Sequence, residues 1–200
     1  QTMKEQPRAL IFSASARSGK TYNLAYKFVH DTIKHFPSKP YLYRAILAVT
    51  FTNKAAQEMK KRIRRQLPDG DLGMITTFHG FCVRLLKEDC HVVQYPSTFI
   101  VLDEEDKASI LRTVFEDLGL TSRDLTIQDA IDYIGWRKGG RGYVRTLIGS
   151  PEKLLELSNT ASTLKDKVMY RYFYEQRKCY GLDFDDLVDF ALYILERDEG

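Results

Sequence analysis

The chain has 200 residues, of which 44% are hydrophobic and 28% charged, with a formal net charge of +3. This composition supports a packed core and excludes a disordered or fibrous chain. No stretch approaches the roughly 20 apolar residues of a membrane-spanning helix, no secretory leader is visible, and Cys82, Cys90 and Cys179 are odd in number and lack metal-ligand spacing, so the expectation is a cytoplasmic protein with reduced thiols and no membrane contact.

In chain order, Ala9-Leu10-Ile11-Phe12 reads as a strand, and Ala14-Ser15-Ala16-Arg17-Ser18-Gly19-Lys20-Thr21 follows it. Directly behind, Leu24, Ala25, Phe28, Val29 and Ile33 recur at helical spacing. A strand, a small-residue loop, Gly-Lys-Thr and a helix form a phosphate-binding loop. Main-chain N–H groups and the helix N-terminus face the anion, the lysine adds a point charge on the terminal phosphates, and the hydroxyl ligates Mg²⁺. Ala14 to Thr21 are therefore the candidate nucleotide-binding residues, with Lys20 and Thr21 closest to the chemistry and Thr21 the metal ligand. The bland alternative is a Gly-Lys turn capping an ordinary helix.

A connection containing Pro37 and Pro40 leads to Ala45–Val49, a continuous apolar run of the kind found in strands buried on both faces. Phe51-Thr52-Asn53 ends it, and a helix follows with the apolar stripe Ala55, Ala56, Met59, Ile63 and Leu67. Lys54, Lys60, Lys61, Arg62, Arg64 and Arg65 lie on its other faces. Pro68–Asp71 is a turn, Gly73–Thr77 a third strand, and Phe78, Cys82, Leu85 and Leu86 mark a third helix. The order βαβαβα implies a parallel sheet with helices on both faces. Ligands of such sheets sit beyond the carboxyl ends of the strands, which places residues 14–19, 50–53 and 77–79 on one edge. Lysine and arginine outnumber the acids in the first hundred residues and are outnumbered in the second; a basic half carrying a phosphate loop suggests a polyanionic partner.

Beyond residue 102 the pattern is helical throughout. Asp103 can cap a helix with the stripe Ile110, Leu111, Val114, Phe115 and Leu118, ended by Gly119. Residues 124–137 and 151–158 read as helices, with Arg137–Gly142 between them a basic, flexible stretch. A longer helix covers 161–180, and Asp183 caps a last one with Leu187, Phe190, Ala191, Ile194 and Leu195 on its apolar face.

Ser15-Ala16-Arg17-Ser18-Gly19-Lys20-Thr21 resembles the phosphate loop of superfamily 1 DNA helicases of the UvrD/Rep/PcrA type. Leu47–Ala56, followed by Glu58, Met59 and Arg62, resembles their motif Ia, and Thr76–Cys82 their motif Ib. Leu182–Leu187 resembles the segment where a helical insertion returns to the first motor domain. The resemblance implies an α/β P-loop NTPase fold of the RecA type over residues 1–102 and 181–200, interrupted by an all-helical subdomain over 103–180. It implies ATP and Mg²⁺ as cofactors, single-stranded DNA and duplex junctions as partners, and 3′-to-5′ translocation, and it leaves the oligomeric state open. The candidate DNA-binding residues are Phe51, Thr52, Asn53, Lys54, Thr77, Phe78 and His79. Thr52 and Asn53 at a helix start offer hydroxyl, amide and main-chain N–H to a phosphate. Phe51 can stack on any base, and Thr77 and His79 can hold a second phosphate or sugar. Taken singly, Thr52 is also an ordinary cap, Phe51 a core residue and His79 a loop histidine with a local partner.

The sequence departs from that family in places. Arg17 stands where glycine is usual, and Gln6 lies too close to Lys20 to be the family's adenine-reading glutamine. Phe99–Glu104 looks like the strand and Asp-Glu pair that hold Mg²⁺ in P-loop ATPases, but reads as a decoy with Asp103 a helix cap, because the family's own pair lies beyond Leu182–Leu187. Asp183, Asp185 and Asp186 read as capping and dipole residues rather than a metal cluster. The expectation is an amino-terminal piece of a helicase, ending before the Asp-Glu motif and the second motor domain, that hydrolyses nucleotide poorly by itself. Two alternatives stay open: another P-loop NTPase or kinase, for which no Asn-Lys-x-Asp guanine motif is present, and a DNA-binding module whose phosphate loop Arg17 has inactivated.

Overall fold

The computed structural model describes residues 47–66 and 74–197. The expected first strand, the phosphate loop Ala14–Thr21, the helix behind it, Leu67 and the Pro68–Asp71 turn lie outside the described residues. The fold is mixed α/β, mostly helical with short parallel strands. The chain divides into two compact units, one ending at Thr77 and the other beginning at Phe78.

In the first unit, strand β1 (Leu47–Thr50), helix α1 (Asn53–Gln66) and strand β2 (Met74–Thr77) follow one another. The strands pair in parallel, from Leu47 opposite Met74 to Thr50 opposite Thr77. Ala48 and Ile75, register partners, are buried together with Ala56, Met59 and Ile63 of α1. Those three helix positions share one face at helical spacing, so burying them holds α1 against the pair. Leu47 is 44% exposed, against the expectation of a strand buried on both faces. Successive side chains alternate faces along a strand, and α1 covers the face that carries Ala48 and Ile75.

The second unit contains α2 (Phe78–Glu88), a 3-10 turn (Cys90–Val93), β3 (Ile100–Val101), α3 (Glu104–Leu118), α4 (Ile127–Lys138), α5 (Tyr143–Ile148), α6 (Pro151–Thr160), α7 (Leu164–Lys178), β4 (Gly181–Leu182) and α8 (Phe184–Leu195). Its core joins Leu86, Leu111, Ile134, Leu147, Leu154, Tyr172, Phe173, Leu187 and Phe190, one or two from each helix. Five of these helices start on the same device. Asp103, Thr126, Ser150, Thr163 and Asp183 each accept the main-chain N–H three residues on, satisfying a donor that has no partner within the helix. Asp103 and Asp183 make the bond reciprocally with Asp106 and Asp186. Gly119 closes α3 with φ 64°, a left-handed geometry that a side chain disfavours.

β3 and β4 pair in parallel, with Ile100 opposite Gly181 and Val101 opposite Leu182. Helices α3 to α7 therefore leave from the end of one strand, and the chain returns beside it. Two differences from the sequence reading lie within this excursion. Arg137–Gly142 is not a flexible basic linker: α4 runs through Lys138, Arg141 turns the chain with φ 52°, and α5 buries Tyr143, Val144, Leu147 and Ile148. The expected helix over 161–180 begins only at Leu164, because the Thr163 hydroxyl caps it there, while α6 extends to Thr160.

Candidate nucleic-acid interface

Thr50 and Thr77 are register partners at the carboxyl ends of β1 and β2. Phe51-Thr52-Asn53 therefore leaves β1 on the edge where Thr77 ends β2. The local geometry of the first stretch is fixed by the threonines. Thr50 Oγ1 donates to the Thr52 carbonyl at 3.0 Å, and Thr52 Oγ1 accepts the Ala55 N–H at 3.1 Å. Thr52 is thus the cap of α1. Capping uses an acceptor lone pair, so the O–H donor is not consumed by it. The N–H groups of Asn53 and Lys54, in the first turn, have no intrahelical acceptor, and that turn carries no acidic side chain. Exposed main-chain donors, a hydroxyl and the positive end of a helix dipole make a setting that suits an anion.

Phe51 is 88% exposed, so it does not serve the core. Asn53 and Lys54 are exposed as well. Farther along α1, Lys61, Arg64 and Arg65 face solvent, and Arg62 pairs with Glu58. In the second unit Phe78 opens α2 and is partly exposed. His79 is exposed on the first turn of α2, not on a loop, and its ring stands edge-on to Phe184 with centroids 5.3 Å apart. The nucleotide-site candidates Ala14, Ser15, Ala16, Arg17, Ser18, Gly19, Lys20 and Thr21 lie outside the described residues.

The carboxylates around the excursion do other work. Asp103 caps α3, and Glu104 pairs with Lys107 at 2.7 Å. Among the described residues no group of His, Cys, Asp and Glu is arranged to hold a metal ion. Asp183 and Asp186 instead face Lys138, whose ammonium lies 2.7 Å from Asp183 Oδ2 and 2.8 Å from Asp186 Oδ1. All three are buried, Lys138 to 3% exposure. Burial alone would depress the lysine, but Asp186 and Asp183 together hold it protonated above its ordinary range. Burial also raises both acids; Lys138 outweighs it at Asp183, which stays low, and not at the fully enclosed Asp186, which stays high. Sequence reasoning missed this cluster. The Asp-x-x-Asp spacing of a capping box was visible, but the lysine comes from 45 residues upstream, in a stretch whose charges read as solvated.

Among the described residues no helix is long and apolar enough to cross a membrane. The chain is 30% identical over 202 residues to the ATP-dependent DNA helicase PcrA of Bacillus subtilis (strain 168), covering 98% of this chain and 25% of that protein. It is 27% identical over 198 residues to the protein of that name from Staphylococcus aureus (strain Mu50), covering 98% and 26%. The match to the one from Staphylococcus epidermidis is 28% over 190 residues, covering 94% and 25%. The chain thus spans about a quarter of the length of these curated relatives. A family model described as the UvrD/REP helicase N-terminal domain matches residues 1–200, and with motif-bearing segments spread from the phosphate loop to α8, the chain belongs to that family.

Proposed function

We propose that this chain is the nucleotide- and DNA-binding part of an ATP-dependent DNA helicase that translocates 3′ to 5′ along single-stranded DNA. The observation that carries the reading is the register of β1 and β2, which sets Phe51–Asn53 and Thr77 on one strand edge beside the start of a basic helix. In this reading the Thr52 hydroxyl, the first N–H groups of α1 and the Asn53 amide grip one phosphate, with Lys54 adding charge. Thr77 and His79 grip another, and Phe51 and Phe78 offer rings to unstacked bases. None of these contacts reads base identity, as a motor moving along any sequence requires.

Ala14 to Thr21 would hold the phosphates of ATP, with Lys20 on the terminal phosphates and Thr21 on Mg²⁺, which neutralises charge on the transferring group. The parallel pairing of β3 with β4 supports the division into a RecA-like part (1–102 and 181–200) and a helical insertion (103–180), since the excursion begins and ends on neighbouring strands. The printed name of the relatives, ATP-dependent DNA helicase, supports the activity. Single-stranded DNA, duplex junctions and a cytoplasmic location follow from the same reading.

The test is a salt titration of oligo-dT binding by the full-length protein. Affinity should fall steeply with salt, and Lys54→Ala should lessen the log–log slope by about 0.7, the share of one cationic contact on a single strand, while Thr52→Ala and His79→Ala should each weaken binding about fivefold, the share of one hydrogen bond. An affinity that Thr52→Ala and His79→Ala both leave unchanged would remove these residues from the interface.

A further inference from the structure

The buried cluster of Lys138, Asp183 and Asp186 sits one residue from a ring that touches the DNA-binding candidate His79. Asp183 is the cap of α8, Asp186 completes its capping box, and Phe184 is the first of the two residues between them, its ring meeting the imidazole edge-on. We propose that Lys138 is a positioning residue for the nucleic-acid edge: by neutralising Asp183 and Asp186 it fixes the first turn of α8 and, through Phe184, the pose of His79. The proposal rests on the reading of His79 as a backbone contact.

The contacts of the lysine all lie inside the fold. It ends α4, its side chain is closed to solvent, and its ammonium also faces the rings of Tyr143 and Phe173 at 5.3 and 5.9 Å. It cannot itself reach a polyanion. Gln176 of α7 reinforces the same point, with its amide donating to Asp186 Oδ2 at 2.5 Å and to the Gly181 carbonyl at 3.1 Å. Side chains from two helices of the excursion thus converge on the first turn of α8. Without the ammonium, two adjacent carboxylates would lie buried without the one counter-charge paired to both. Such groups are relieved by moving toward water or by taking up a proton, and either response disturbs the turn that carries Phe184.

The experiment uses the full-length protein with labelled histidine, reading the His79 ring resonances, which sense the Phe184 ring, and oligo-dT affinity. Lys138→Met should move the His79 resonances toward those of Phe184→Leu and weaken binding about fivefold, the size of one impaired hydrogen bond. The triple variant Lys138→Met, Asp183→Asn, Asp186→Asn keeps capping side chains without charge and should restore both readouts. Should Lys138→Met not fold, Lys138→Gln, which also removes the ammonium but keeps a hydrogen-bond donor, should move His79 in the same direction by less. Unchanged His79 resonances in Lys138→Met and Lys138→Gln, or a triple variant with His79 still displaced, would overturn the proposal. His79→Ala binding oligo-dT as tightly as wild type would instead overturn the DNA reading of His79, a result separable from the resonance shifts.

Discussion

Gly181 opens β4 directly against the Leu102 side chain. A methyl group built there would lie 2.6 Å from Leu102 Cδ1, with the rest of that buried side chain close behind. Leu102 is itself fixed by the hydrogen bond from its N–H to the Leu182 carbonyl at 2.9 Å. Gly181→Ala should therefore cost about 1–3 kcal/mol, the usual penalty for overpacking a core, measured as a lowered urea midpoint. A wild-type midpoint would mean that Leu102 has room to turn aside. At this scale, legibility in the sequence followed the range of the interaction. The caps Asp103 and Asp183 were readable because donor and acceptor lie three residues apart. Lys138 was not, because Arg137-Lys138-Gly139-Gly140-Arg141 has the composition of a solvated turn and the acids that bury its lysine lie far along the chain.

Helix α7 organises the excursion, with Val168, Met169, Tyr172 and Phe173 buried along it. Its first turn is tied to α4 through Asp166, which accepts from Thr163 Oγ1 at 2.7 Å and from the Tyr133 hydroxyl at 2.8 Å, and pairs with Arg137. Burial would raise this carboxyl, but the hydrogen bonds from Thr163 and Tyr133 and the Arg137 guanidinium bring it below its usual value. A lowered folded-state value contributes stability that is fully present above the unfolded value, near about pH 4, and is lost as pH falls through the folded one. Asp166→Asn should thus be less stable than wild type at neutral pH, and the gap should close on acidification below about pH 4. A gap independent of pH would show that the charge of Asp166 contributes nothing. The stripes of α3 and α8 were legible, because Leu111, Val114 and Phe115, or Leu187, Phe190, Ala191 and Ile194, share one face. The break between α6 and α7 was legible as well, but it was placed two or three residues early: α6 runs to Thr160, and the Thr163 cap starts α7 at Leu164.

For the whole molecule, the arrangement of strands is what gives the motifs meaning. The pairing of β3 with β4 brings the start and end of a long helical excursion side by side, and the pairing of β1 with β2 aligns Thr50 with Thr77. The sequence order βαβ and the motif-like segments pointed to such an edge. No local pattern could show that Phe51 would be exposed rather than packed, or that His79 would lean on Phe184, because each depends on neighbours brought in by folding. The central claim, proposed above, is that this edge and the phosphate loop belong to one ATP-driven DNA motor. ATP hydrolysis by the full-length protein, measured with and without oligo-dT, tests that coupling most directly. Turnover should rise when oligo-dT is added and fall about a hundredfold or more in Lys20→Ala, as expected when a charged group on the transferring phosphate is removed. Turnover indifferent to oligo-dT, or undiminished in Lys20→Ala, would contradict the account.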